Sequence, residues 1–237
     1  MNIFGGEQMK NNVTATGCLS EGWNLVKDDY LIYLGASLFG LFLLYLLPLI
    51  LQGPVYCGIF ILVFQKMRAK PLSFDSFFDG FNHFLQSLLV TLVTVIPALV
   101  LTVIVVVIAI VIIVSGATLE DGGLDGALVG SLGLLALVFV VGVVAAISFQ
   151  ILMTFALPLV VEEGLGAIDA CKRSASAVMD NLGLVVGLVA LQSLLMVVGT
   201  LACLIGVVFV FPIIVASTAV AYREIFGLNS TREGAII

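Results

Sequence analysis

Charged side chains divide this chain into four long uncharged runs: residues 30–65, 80–119, 126–161 and 181–222, with lengths of 36, 40, 36 and 42. Within each run apolar residues follow one another without the strict alternation of a strand. A helix needs roughly 20 apolar residues, at 1.5 Å per residue, to cross about 30 Å of hydrocarbon. Every run is too long for one simple crossing and holds either one long helix or a hairpin.

The basic residues decide between those options, because Lys and Arg concentrate on cytoplasmic flanks while acids count little. Lys10 and Lys27 precede the first run and Lys66, Arg68 and Lys70 follow it, so it crosses an even number of times. Gln52-Gly53-Pro54 supplies turn chemistry near its middle, predicting helices over about 30–51 and 54–68. The fourth run lies between Lys172–Arg173 and Arg223–Arg232 and is also a hairpin, with helices over 182–202 and 206–222 and a turn around Cys203 to Gly206. Between the second and third runs, Glu120 to Asp125 contains acids and no cations, which predicts an external loop. Those two runs then cross once each, over 84–115 and 127–161. Pro97 kinks the first of these rather than ending it, since neighbours in a membrane bundle satisfy a freed carbonyl. The expected fold is all-α, a polytopic bundle of six transmembrane spans in one membrane domain, with both termini and all nine Lys and Arg on the inner side. An eight-span alternative would bring the acidic loop inside.

Three polar segments before spans one, three and five carry helical periodicity. Leu19, Trp23, Val26 and Tyr30 share one face, opposite Ser20, Asn24 and Lys27. Phe74, Phe77, Phe78, Phe81, Phe84 and Leu85 fall within about 120° at 100° per residue, opposite Asp75, Asp79, Asn82, His83 and Gln86. Ile168, Cys171, Ala175, Val178, Met179 and Leu182 face away from Asp169, Arg173, Ser176 and Asp180. Amphipathic helices of this kind lie in the headgroup plane or pack on their own bundle. Core packing suits the Ala-rich third; interface and core suit the Phe-rich second equally. A surface helix thus precedes a hairpin at 17–66, 72–161 and 164–222. Cys18 to Gly53 and Cys171 to Gly206 have equal spacing, which suggests a parallel repeat of 17–66 and 164–222.

Composition agrees with a membrane chain. Of 237 residues, 62% are hydrophobic and 10% charged, with a mean hydropathy of +1.27. Soluble domains carry about 25% charged residues. The net charge of −6 comes with no basic cluster for nucleic acid. The four cysteines are scattered and read as small apolar residues. The opening 16 residues lack the apolar core of a cleavable signal, so the first span is expected to be an uncleaved anchor.

Segments 21–35 (EGWNLVKDDYLIYLG) and 171–187 (CKRSASAVMDNLGLVVG), each leading into a hairpin, resemble a broad group of uncharacterised bacterial membrane proteins. The group includes the membrane domain fused to some glycerophosphoryl diester phosphodiesterases. The ending PIIVASTAVAYREIFG is similar to that group's final span. The resemblance implies a six-helix bacterial inner-membrane fold and carries over no catalytic residue; the phosphodiesterase domain is absent from this chain.

Chemistry-bearing positions are few. His83 lies on the polar face of the Phe-rich segment and reads as solvated. Glu162 and Glu163 are sequence neighbours, which do not face each other on a helix, and mark the inner end of the fourth span. No phosphate loop, zinc spacing or nucleophile elbow occurs, so neither an enzyme nor a cofactor is expected. Coupled transport commonly needs ionisable groups inside the membrane, and none falls in the predicted spans. Intramembrane polar candidates are Gln150 and Gln192, with Thr91, Thr94, Thr154 and Ser193, read as interhelical hydrogen bonders. Gly183/Gly187 and Ala36/Gly40 allow close helix approach. Trp23 and the five phenylalanines Phe74, Phe77, Phe78, Phe81 and Phe84 are the candidate lipid-interface or packing residues. The expected partners are membrane lipids, with other membrane proteins or a second copy as further possibilities. The class expected is a scaffold, assembly factor or complex subunit; the rival is an uncoupled permease or channel.

Overall fold

A computed structural model describes residues 14–117, 126–201 and 205–228, and these are helical without strands. In chain order the helices are α1 (Ala15–Val26), α2 (Tyr30–Leu46), α3 (Pro48–Met67), a 3-10 helix (Phe74–His83), α4 (Phe84–Ala117), α5 (Gly126–Leu152), α6 (Ala156–Glu163), α7 (Ala167–Asp180), α8 (Leu182–Leu201) and α9 (Ile205–Phe226). Five helical stretches are long and apolar enough to cross a membrane. A sixth crossing arises if α1 and α2, bent by 99° at Lys27–Asp29, count as one span. The expected external loop and residues 202–204 of the second expected turn lie outside the described residues.

The first hairpin turns earlier than expected. Leu47 leaves the helical region (φ −142°, ψ 75°) and Pro48 opens α3, while Gly53 and Pro54 sit inside it. Pro48 takes the first position of α3, where its missing N–H has no intrahelical partner to lose. Gly53 serves not as a turn but as a point of close approach, since a Cβ there would lie 2.6 Å from the Ser87 carbonyl carbon. The expected single helix over 127–161 is also broken: α5 ends at Leu152 and α6 begins at Ala156. Pro158 explains the position, because a helix running through it would lose its bond to the Thr154 carbonyl and clash with that group. Pro97, by contrast, is contained within α4.

Two compact units result. The first comprises the described residues of Met1–Thr91 and Ile151–Ile237, the second Leu92–Gln150.

In the first unit the short helices dock in a regular order. α1 packs on α9, the 3-10 helix on α3, and α7 on α6. On α9 and α3 the docking points, Ser217 and Gly58, lie about two and a half turns before the helix end. A Cβ on Gly22 would lie 2.7 Å from the Ser217 nitrogen, and one on Gly80 would lie 2.7 Å from the Gly58 Cα. Backbones can meet this closely only where the side chain is missing. At α6 the junction is polar. The buried Ser174 hydroxyl donates to the Leu152 carbonyl (2.7 Å) and accepts from the Phe155 N–H (3.1 Å), satisfying two backbone groups freed by the break. Between the receiving helices the buried rings of Phe64, Phe155 and Tyr222 converge, with centroids 5.5 Å apart for Phe64–Tyr222 and 6.5 Å for Phe155–Tyr222.

In the second unit α4 and α5 meet where Leu101 fills the space over Gly142. Elsewhere their large side chains are outward: Leu99, Val103, Val107 and Val111 on α4, and Leu137, Val140, Val144 and Ile147 on α5, are all exposed. The most apolar stretch of α4 has 0% of its residues buried, against 56% for those of α3 and α9.

Candidate functional site

The surface helices are the first candidates, and their geometry divides the expected residues. A 3-10 helix has 3.0 residues per turn, so positions three apart eclipse each other. Phe74, Phe77, Gly80 and His83 therefore form one row, Asp75, Phe78, Phe81 and Phe84 a second, and Ser76, Asp79 and Asn82 a third. Phe77 is fully buried against Gly58. Phe78 is 45% exposed, Phe74 and Phe84 37% each, and Phe81 is half-buried. At this tighter turn the phenylalanines occupy two adjacent rows, and the rings of Phe74, Phe77, Phe78 and Phe81 lie 5.6 to 6.3 Å apart in series; burial divides them, with Phe77 inside and Phe78 outside.

On α1 the buried face is Cys18, Gly22 and Val26. Trp23 is not on it: the indole is 45% exposed and meets Tyr30 edge-on at 5.7 Å. Tyr30 stacks in turn on Phe209 and donates its hydroxyl to the Phe209 carbonyl. On α7 the buried face is Ala167, Ala170, Cys171, Ser174 and Val178, while Ile168 and Met179 from the expected stripe stand exposed. Small residues win the buried side because α6 approaches closely there. The Gln86 side chain accepts a hydrogen bond from the Ala167 N–H at 2.9 Å, tying the start of α4 to the start of α7. Burial raises the Cys171 thiol above its ordinary value, since the thiolate would lose hydration.

Beyond the docking points the receiving helices end in charge, and there the structure assembles a cluster that sequence neighbours alone did not reveal. Arg68 pairs with Glu162, which is 3% exposed, and Arg173 pairs with Glu163. The Arg173 guanidinium also lies 5.5 Å from the centre of the Phe226 ring, a distance suited to a cation–π contact. The Tyr222 hydroxyl is 3.5 Å from Glu163. Arg223 forks onto both Glu21 oxygens at 2.7 and 2.9 Å, and Lys66 pairs with Asp29. Among the described residues Arg68, Arg173 and Arg223 are thus all in ion pairs, binding α1, α6, α7, α9 and the chain after α3 together. A buried pair of this kind costs desolvation to form, but removing one partner strands the other charge. Glu162 and Glu163 do mark a helix end, but they point to different cations, which sequence adjacency could not show.

Gln192, 8% exposed on α8, reaches α9: its amide nitrogen is 2.9 Å from Ser217 Oγ, 3.0 Å from Thr218 Oγ1 and 3.2 Å from the Ile214 carbonyl. Both hydroxyls donate to the Ile214 carbonyl, leaving their lone pairs for the amide. Ser217 is also where Gly22 lands, so the glutamine braces the α1 docking point. Gln150 lies on α5 at an exposed position in the second unit. Of the small-residue motifs, Gly40 packs on Val55 and Gly187 on Ala15, whereas Gly183 has open space before it. Among the described residues no group of three His, Cys, Asp or Glu is close enough to hold a metal ion. No protein-family model, curated protein or solved structure matches the chain.

Proposed function

We propose that this protein acts through the contacts its helices make with lipids and with other membrane proteins, as a scaffold, assembly factor or complex subunit, and not as a catalyst. One observation carries the reading. The hairpin of the second unit presents large apolar side chains in nearly every direction, and surface of that kind requires lipid or another helix to cover it. The polar groups of the first unit support the same view, because Gln192, Ser217 and Thr218 are engaged with one another and the arginines with carboxylates.

The reading includes six spans in a bacterial inner membrane with both termini cytoplasmic, supported by the distribution of Lys and Arg and by the similarity to the bacterial six-helix group. The rival is an uncoupled permease or channel for a small or amphiphilic solute. Purification of the full chain in mild detergent, with identification of co-purifying proteins and lipids, tests the proposal. Stoichiometric retention of a specific protein or lipid supports it. Solute flux through the purified protein in liposomes, with nothing co-purifying, overturns it in favour of the rival.

A further inference from the structure

The 3-10 helix poses a problem that its sequence alone does not: three rows of different chemistry on one short segment. The first row is settled by packing, with Phe77 buried and Gly80 against the α3 backbone. The third, Ser76, Asp79 and Asn82, is polar, and Asp79 and Asn82 are exposed. The second begins at the exposed Asp75, which belongs to the polar cap formed with Ser73, and continues through Phe78, Phe81 and Phe84. Phe78, Phe81, Phe74 and Phe39 form a cluster of rings with centroids 5.7 to 6.3 Å apart, yet Phe78 keeps 45% and Phe84 37% of its surface open.

What covers this row is indicated by where it leads. Phe84 is the first residue of α4, and the exposed edge continues without a polar interruption through Leu85 (62% exposed) and Leu89 (41%). That edge belongs to a stretch with the length and hydropathy of a membrane span. An apolar row that is polar at its start and merges at its end with the outer edge of a span has the gradient of a bilayer surface, from headgroups to acyl chains.

We infer that the 3-10 helix is a three-sided membrane-surface element: Phe77 and Gly80 face the protein, Asp79 and Asn82 face water, and Phe78, Phe81 and Phe84 are seated among the acyl chains of one leaflet at increasing depth. The inference rests on the proposed function's lipid contacts and names the residues that make them. The tighter helix eclipses Phe78, Phe81 and Phe84 in one row, where an α-helix would spread the same three over about 120°. A protein partner is the competing occupant of the same row, and the test separates the two.

Trp23 is the single tryptophan of the chain, so a Trp23→Phe background is free of native indole emission. Into it are placed Phe78→Trp, Phe81→Trp, Phe84→Trp and Asn82→Trp, one at a time, in the full chain. Each variant is reconstituted in phosphatidylcholine vesicles with bromines either near the glycerol or deep on the acyl chain, and is separately exposed to aqueous acrylamide. The expected result is blue-shifted emission at 78, 81 and 84, with quenching by bromolipid several-fold stronger than at 82. Shallow bromines should act best at 78 and deep ones best at 84, and acrylamide should quench only 82 strongly. Acrylamide quenching at 78 and 84 equal to that at 82 overturns the inference in favour of water. Protection from both quenchers overturns it in favour of a protein cover, including a second copy. Three positions on the one row keep the contrast with 82 decisive if one substitution misfolds. Neither overturning result touches the co-purification and flux experiments, so failure here leaves the proposed function standing on its own.

Discussion

Two serines, both fully buried, should respond in opposite directions to the same substitution. Ser174 on α7 fills the break between α5 and α6, donating to the Leu152 carbonyl at 2.7 Å and accepting from the Phe155 N–H at 3.1 Å. Ser174→Ala leaves both backbone groups without their partner in a place where Phe155 is 0% exposed. Each stranded group costs about 1–3 kcal/mol, so the loss should be roughly 2–6 kcal/mol for the pair. Ser37 on α2 is equally buried, but its hydroxyl has no hydrogen-bond partner. Ser37→Ala removes a desolvated polar atom that gains nothing, so the change should be neutral or stabilising by up to about 1 kcal/mol. For a chain of this size 1 kcal/mol moves the melting temperature by about 2–4 °C. Ser174→Ala should therefore melt about 4–24 °C lower and Ser37→Ala no lower than the parent. The buried cysteines Cys18, Cys57 and Cys171 report unfolding through a thiol-reactive dye during a thermal ramp in mild detergent. Melting of Ser174→Ala within a degree or two of the parent would refute the reasoning, as would an equal fall for Ser37→Ala.

Four further outcomes follow from particular positions. Ala69 occupies the left-handed region (φ 52°) at the end of α3, where Lys70 N–H bonds to the Gln65 carbonyl and Ala69 N–H to that of Lys66; this is a glycine's place, and Ala69→Gly should raise the melting temperature by about 2 °C. Gly80→Ala should lower it by several degrees, because a Cβ there meets the α3 backbone, whereas Gly183→Ala, with nothing within 4 Å, should leave it unchanged or slightly higher. Because burial raises the Cys171 thiol, the folded protein holds that proton to higher pH than the unfolded chain; its share of stability is full below the ordinary thiol value and is lost as pH rises through the raised one. Iodoacetamide at mildly alkaline pH should accordingly spare Cys171 in the folded protein and modify it in denaturant, as read by mass spectrometry of its peptide. In a cysteine-free background an impermeant maleimide added to intact cells should label Gly122→Cys and not Ser73→Cys; the reverse pattern would invert the topology.

Much of the helical architecture was legible from the chain, and the misses have local causes. The uncharged runs located the helices of every described hairpin, because burying charge in hydrocarbon is costly enough to show in composition alone. The first turn was misplaced because Gly53-Pro54 reads as a turn in sequence, whereas in the fold Gly53 lets the Ser87 backbone approach α3 and Pro48 opens the helix. The break at 153–155 needed Ser174, a residue about twenty positions away, to cap it. The faces of the short helices were misjudged for a related reason. Periodicity finds an apolar stripe but not which part of it a neighbouring helix covers, as Phe77, buried on α3, and the exposed Phe78 show. On α1 and α7 the partner helix selected glycine, alanine, cysteine and serine for contact and left Trp23, Ile168 and Met179 outside.

The sequence by itself determined that this chain is helical and apolar enough to cross a membrane several times, since those properties are sums over residues and need no partner. Tertiary structure alone decided which helix receives which, where Glu162 and Glu163 find their arginines, and how Phe77 is buried while Phe78, next in the chain and in ring contact with it, stays exposed. Those outcomes depend on distances between segments far apart in sequence, and on whether two backbones can come close enough to exclude everything but a glycine.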